Sequence, residues 1–245
     1  MNNIFNSFVL TTLAGLSTVL GFFIIFVKGE RHKIISFFLS FASGVMFIIS
    51  IIDLIPSSLN YFNNYYLFYR LLLISIFIIV GIIISNFINH LISRYENNNL
   101  TKLGILSFLS IILHNVPEGI ITFMSFQIDL NLGISMAIAI SLHNIPEGIS
   151  IAVPLYYANH PKWKIFLVVL VAGLSELLGA LLTYLFLMNF ISDFFMGLML
   201  SLTAGIMFSI SIFSLLKEGV SYHKKVSVIG FIFGILIMIF SSMYI

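Results

Sequence analysis

Leu113-His114-Asn115-Val116-Pro117-Glu118-Gly119-Ile120 returns 29 residues later as Leu142-His143-Asn144-Ile145-Pro146-Glu147-Gly148-Ile149, with Val116 to Ile145 the one change. Each copy lies well inside an apolar run long enough to cross a membrane. That position decides the fold class, because a bilayer core of about 30 Å needs about 20 apolar residues per helix. It also poses a chemical problem. Histidine, asparagine and a carboxylate are expensive in hydrocarbon and need a compensating partner there.

Working outward from these copies, the chain divides into eight apolar segments, 4–27, 34–56, 67–90, 103–125, 132–153, 164–187, 194–216 and 226–244. Short polar connections join them, such as Asn60 to Tyr66 and Ser93 to Thr101. The runs are continuous and much longer than the alternating strands of about ten residues found in membrane barrels. With 60% hydrophobic and 8% charged residues, a soluble domain is excluded; a globular chain carries about three times as many charges. The expectation is an all-α membrane protein, a single polytopic transmembrane domain over residues 1–245. Zero cysteines exclude disulfides and thiolate metal sites. No basic stripe points to nucleic acid. The first segment far exceeds a signal peptide's apolar core and is followed by Lys28, Arg31 and Lys33, so it is expected to be a retained membrane helix.

The charges sort by connection. Lys28, Arg31 and Lys33, then Arg94 and Lys102, then Lys162 and Lys164, then Lys217, Lys224 and Lys225 fall on alternate connections. Ten of the eleven Lys/Arg thus share one side, with only Arg70 near the other. The positive-inside rule places those ten in the cytoplasm and both termini outside a multi-pass cell-membrane protein. One missed helix would scramble this pattern.

A second repeat links segments 2 and 7. Residues 40–55, with Ser40, Gly44, Met46, Ser50 and Asp53, match residues 201–216, with Ser201, Gly205, Met207, Ser211 and Ser214, at eight of sixteen positions without a gap. One segment runs inward to outward and the other the reverse, so the repeat is inverted. Inverted repeats flanking a midplane polar site are a common plan of transporters, because the two halves supply alternative accesses. The serine and glycine positions are most simply places of close helix packing.

Four of the nine acidic residues lie inside predicted spans, Asp53, Glu118, Glu147 and Glu176, and no Lys or Arg accompanies them. Each costs about 2.5–3.5 kcal/mol at a helix centre even on a lenient insertion scale. Either the glutamates are protonated or the missing positive charge is a bound ion. The spacing favours an ion. His at i and Glu at i+4 share one helix face, and Asn at i+1 lies about 100° round, able to serve an adjoining site. Proline at i+3 frees the carbonyl of Leu113 or Leu142. Imidazole with carboxylate suits zinc, iron, manganese or cobalt, and ligand type alone does not choose among them. A lone His or Pro in a membrane helix is usually structural; two identical copies with a third buried glutamate are not well explained that way. Glu176 sits in Gly173-Leu174-Ser175-Glu176-Leu177-Leu178-Gly179-Ala180. Asp53 and Met46, seven residues apart on one face, are candidates for a transport pathway, with core packing the competing role for Met46.

These motifs resemble the ZIP (zinc/iron-permease) family of divalent-metal transporters, its bacterial ZupT-like branch in particular. The resemblance rests on His-Asn-x-Pro-Glu-Gly in segments 4 and 5, Gly-Leu-Ser-Glu in segment 6 and the eight-span plan, and so covers essentially the whole chain. It implies a 3+2+3 arrangement with spans 1–3 and 6–8 as the inverted pair, and uptake of zinc or another divalent transition metal into the cytoplasm by alternating access. It also implies that His114, Glu118, His143 and Glu147 form one metal site. Asn115, Glu118, Asn144, Glu147 and Glu176 would form a second that shares the two glutamates. The metal is then the bound substrate and no catalytic cofactor is expected. The partners are divalent ions and the lipid bilayer, with a homodimer as a candidate assembly. This chain departs from the family at Leu177, where Pro is usual, and at Phe213, Ser214 and Lys217, where relatives often carry an acidic pair and Pro. The connection from Ser93 to Thr101 is short and lacks the histidines common in relatives. Two other classes fit the buried acids less well: an intramembrane metalloenzyme, for which no separate general base is apparent, and a proton-coupled carrier of an organic solute.

Overall fold

The computed structural model describes residues 2–187 and 192–242. The ends of the predicted 1–245 domain and the last two residues of predicted segment 226–244 lie outside the described residues. Among the described residues eight helices are long and apolar enough to span a bilayer. They are α1 (Ile4–Phe26), α2 (Arg31–Tyr61), α3 (Leu67–Tyr95), α4 (Asn99–Ile128), α5 (Leu130–Tyr157), α6 (Lys162–Phe186), α7 (Asp193–Tyr222) and α8 (Lys224–Ser242). No strand occurs among the described residues. The eight predicted segments are thus eight helices, most of them longer than the apolar run, by up to six residues at an end. Polar caps set the start of α4 and α5: the Asn98 side chain accepts the Thr101 amide, and the Asp129 carboxylate accepts that of Leu132. Such capping extends a helix past its hydrophobic core.

Burial separates a centre from a rim. In their most apolar windows α4 and α5 are each 67% buried, against 17% for α3 and 22% for α8. The polar copies therefore ride on the two most enclosed helices, which is what groups costly in lipid require. Pro117 and Pro146 leave these helices unbroken, α4 and α5 running on through both.

Small residues draw the helices together. The Gly44 position in α2 abuts the Phe231 carbonyl of α8, and Gly205 in α7 abuts the Ile78 carbonyl of α3. The Ser40 hydroxyl lies 2.6 Å from that of Ser227 in α8, and the Ser201 hydroxyl 2.6 Å from that of Ser58 in α2. The repeated serine and glycine positions are thus close-packing sites between helices. Both repeat copies also widen to π-helix at the same place, Ser50–Leu54 in α2 and Ile210–Leu216 in α7. Such bulges insert one extra residue in a turn and often accompany function.

All four connections rich in Lys and Arg lie at one end of the bundle. An Arg31 guanidinium nitrogen donates to the Tyr157 carbonyl at 2.6 Å, Thr101 Oγ1 lies 3.1 Å from His160 Nε2, and Ser36 Oγ donates to the His223 carbonyl at 2.8 Å. The Lys162 ammonium sits 4.7 Å from the centre of the Phe26 ring. Arg70 is at the opposite end, donating to the Leu59 carbonyl at 2.9 Å.

Candidate metal centre

The seven predicted ligands gather where α4, α5 and α6 meet, and all are buried. The i, i+4 spacing puts each His and Glu on the face its helix turns to the other. The pairs therefore form across the interface rather than along one helix. His114 Nε2 lies 2.7 Å from Glu147 Oε1, and His143 Nε2 lies 3.4 Å from Glu118 Oε2. The asparagines reach the flanking helices. Asn115 donates to the Ala172 carbonyl of α6 at 3.2 Å, and Asn144 to the Ala14 carbonyl of α1 at 3.0 Å and also to the Glu176 carboxylate. Through Asn144 the acid of α6 is tied to the α5 motif.

Three carboxylates and two imidazoles thus share a buried centre with no Lys or Arg within it. Each of the seven residues leaves one buried polar atom without a hydrogen-bond partner: His114 Nδ1, Asn115 Oδ1, Glu118 Oε1, His143 Nδ1, Asn144 Oδ1, Glu147 Oε2 and Glu176 Oε2. Buried polar atoms are nearly always paired, so so many orphans in one place call for a partner the chain does not supply. The donor set, nitrogen and oxygen with no lysine or arginine, is of the kind that suits a divalent transition metal. As the side chains stand, no three His, Cys, Asp or Glu among the described residues converge as a ready cluster for a metal ion. The reason is the crossed His–Glu pairing, in which each imidazole holds the carboxylate of the neighbouring helix.

A cavity of about 180 Å³ leads to this centre. Asp53, Ser57 and Tyr61 of α2 line it along with Glu118 and His143. Its outer residues lie at the Arg70 end of the bundle, away from the basic connections. The π segment of α2 carries Asp53, whose Oδ1 accepts from Ser57 Oγ at 3.2 Å. Met46 is elsewhere, fully buried in the main apolar cluster with Ile49 and Met207. Leu177, where a proline kink is usual, lies in a helix continuous to Leu182. At the basic end a separate cavity of about 190 Å³ is lined by Ser214, Lys217, Glu218 and Lys102, among others. Glu218 thus stands one turn beyond Ser214, the residue matched to Asp53. The match of residues 40–55 with 201–216 does not point to it, because the acid lies beyond the matched stretch.

Sequence reasoning also missed a third internal match. Ala14-Gly15-Leu16-Ser17-Thr18-Val19-Leu20-Gly21 of α1 agrees with Ala172-Gly173-Leu174-Ser175-Glu176-Leu177-Leu178-Gly179 of α6 at six of eight positions. Apolar and small residues dominate both stretches, so the likeness is easily taken for composition.

A family model of ZIP zinc transporters matches residues 96–242, which include all seven candidate ligands. The chain is 37% identical to the zinc transporter ZupT of Oceanobacillus iheyensis, covering 97% of each chain. It is 36% identical to that of Streptococcus mutans, covering 96% of each, and 35% identical to that of Clostridium perfringens, covering 97% of this chain and 95% of the other. The model match over more than half of the chain, and likeness of this degree along nearly all of it, agree with the paired motifs: the chain belongs to the ZIP zinc-transporter family.

Proposed function

We propose that this protein carries divalent transition-metal ions, zinc foremost and iron, manganese, cobalt or cadmium as alternatives, across the cell membrane into the cytoplasm. The ions pass through a two-metal site between α4, α5 and α6. His114, Glu118, His143 and Glu147 ligate one ion, and Asn115, Asn144 and Glu176 with the two shared glutamates ligate the other. The observation that carries this reading is the set of seven orphaned buried atoms, one on each of these residues. A divalent ion entering between an imidazole and its carboxylate would replace the proton they share and take up the unpartnered carboxylate and amide oxygens nearby, the two Nδ1 atoms lying on the far side of each ring. Family membership and the names of the relatives support zinc as the substrate.

The cavity past Asp53 and Tyr61 serves as the outer approach, since it reaches Glu118 and His143 from the end opposite the basic connections. Both termini then lie outside the cytoplasm. Alternating access arises from α1–α3 and α6–α8 as an inverted pair. Support for that division is the exchange of partners, α2 against α8 and α7 against α3, and the matched π segments.

The test is uptake into proteoliposomes, with zinc, iron, manganese, cobalt and cadmium in competition. Glu118→Ala and Glu147→Ala should each abolish accumulation while the protein still reaches the membrane. Normal uptake in both variants rejects the site. Metal-independent proton flux would favour the organic-solute carrier, and substrate turnover without metal flux the metalloenzyme.

A further inference from the structure

The basic end of the bundle holds two cavities lined by lysine, and they differ in charge. The one with Lys102 and Lys217 also contains Glu218. The other, of about 370 Å³, lies where the end of α1 and its connection to α2 meet the end of α5 and the start of α6. Phe26, Lys28, Tyr156, Tyr157 and Lys162 line it, and among the described residues no acid does. Two residues on from Lys28, Glu30 is held by Lys33 at 2.7 Å. Neither Lys28 nor Lys162 forms an ion pair among the described residues.

Aromatic rings hold one of these charges in place. The Lys162 ammonium lies 4.7 Å from the centre of the Phe26 ring and 6.0 Å from that of Tyr156, within the range of cation–π attraction. Arg31, at the start of α2, fixes Tyr157 by donating to its carbonyl at 2.6 Å. The cavity is also continuous with apolar surface. Phe26 is itself exposed, as are Phe23 and Val27 beside it on α1 and Trp163, Leu167 and Val171 along α6. The Phe22 and Phe166 rings, 5.4 Å apart, join these two helices. Tyrosine and tryptophan at the end of a span mark headgroup depth. An occupant that suits both parts of this place carries an anion at one end and hydrocarbon at the other.

We propose that this cavity binds the headgroup of an anionic phospholipid in the leaflet at the basic end. Lys28 and Lys162 pair with its phosphate, and its acyl chains lie on Phe23, Phe26 and Leu167. Basic pockets between membrane helices suit such headgroups. With no acid to receive a choline or ethanolamine ammonium, the site favours a headgroup of net negative charge. A soluble anion would leave the apolar half unused. The bound lipid ties the α1–α2 connection to the junction of α5 and α6.

The single tryptophan of the chain, Trp163, adjoins Lys162 and reports on the site directly. The full chain is placed in vesicles of phosphatidylcholine and phosphatidylglycerol, with one lipid or the other brominated on its acyl chains, and quenching of Trp163 is read. Phosphatidylglycerol should be the stronger quencher. Lys28→Gln and Lys162→Gln should each lower its preference about fivefold, the worth of one basic residue at an anionic surface. Lys102→Gln, at the cavity that holds Glu218, should keep it within about twofold of the parent. Equal quenching by the two lipids in the parent overturns the site. An equal loss in all three variants overturns it too, since surface charge alone would then explain the preference. Inorganic phosphate, added to the parent at constant ionic strength, should leave the preference in place. If phosphate abolishes it, the ligand is a free anion and the lipid site falls. Both readings on the parent decide the matter even where a variant does not fold.

Discussion

Asn144 holds two buried acceptors, the Ala14 carbonyl and the Glu176 carboxylate, whereas Asn115 holds the Ala172 carbonyl. Leaving a buried acceptor unpaired costs about 1–3 kcal/mol, and more for a charged one. The Ala14 and Ala172 carbonyls each keep a second donor, the Ser17 and Ser175 hydroxyls, so Asn144→Ala strands only the Glu176 carboxylate and should lower the melting temperature in detergent by about 4–8 °C, whereas Asn115→Ala strands no acceptor and should lower it by less, as followed by tryptophan fluorescence or loss of monodisperse protein. Equal shifts would show that the Asn144–Glu176 bond contributes nothing. Residues of this kind are legible in sequence because they break a rule: His114, Glu118 and Glu176 stand out as polar groups in hydrocarbon. Thr18 breaks none. Threonine is common in membrane helices and normally satisfies itself locally, so its unpartnered hydroxyl, which it shares with Thr11, is visible only in the structure. The crossing of the His–Glu pairs was equally hidden, since spacing fixes a helix face but not which neighbour that face meets.

At the scale of elements, apolar length fixed the count of eight helices, and alternation of charge agreed with it. The helix ends and the π segments were not legible. Ends follow caps such as Asn98 and Asp129, outside the apolar runs, and a π bulge has no residue signature of its own. Yet the bulge at Ser50–Leu54 presents Asp53 to the cavity that leads to Glu118. Removing that charge should weaken the attraction of a cation to the approach without touching the ligands. Asp53→Asn is expected to raise the zinc KM about three- to tenfold at low ionic strength, with Vmax kept, and by less at high salt; proteoliposome uptake at two salt concentrations reads this directly. A fall in Vmax with KM unchanged would assign Asp53 to a later step. Close packing gives a second expectation. A Cβ at Gly148 meets the Thr18 carbonyl, backbone that cannot give way, whereas one at Gly29 meets only the end of Ile34 at 3.1 Å. Gly148→Ala should part α5 from α1 and cost about 1–3 kcal/mol or more, with Gly29→Ala near neutral, by thermal melting of the purified variants.

For the whole molecule, the basic residues supply what the fold alone does not, a direction. The structure gathers the connections bearing ten of the eleven Lys/Arg at one end, through Arg31 on Tyr157, Thr101 with His160 and Ser36 on His223. Periodicity could not have named these contacts, because each joins connections far apart in the chain. The positive-inside rule predicts that this common end is cytoplasmic, which would turn the cavity at Asp53 to the exterior. The chain has no cysteine, so single cysteines report sidedness without background. Asn64 lies in the connection from α2 to α3 and Asn97 in that from α3 to α4, and both are exposed. With intact cells and a membrane-impermeant maleimide, Asn64→Cys should label and Asn97→Cys should not, until the membrane is opened. The reverse pattern would invert the protein and turn the Asp53 cavity to the cytoplasm, making it a route of release. Labelling of both from outside would mean that α3 does not cross the bilayer, and the alternation of charge would then lose its basis.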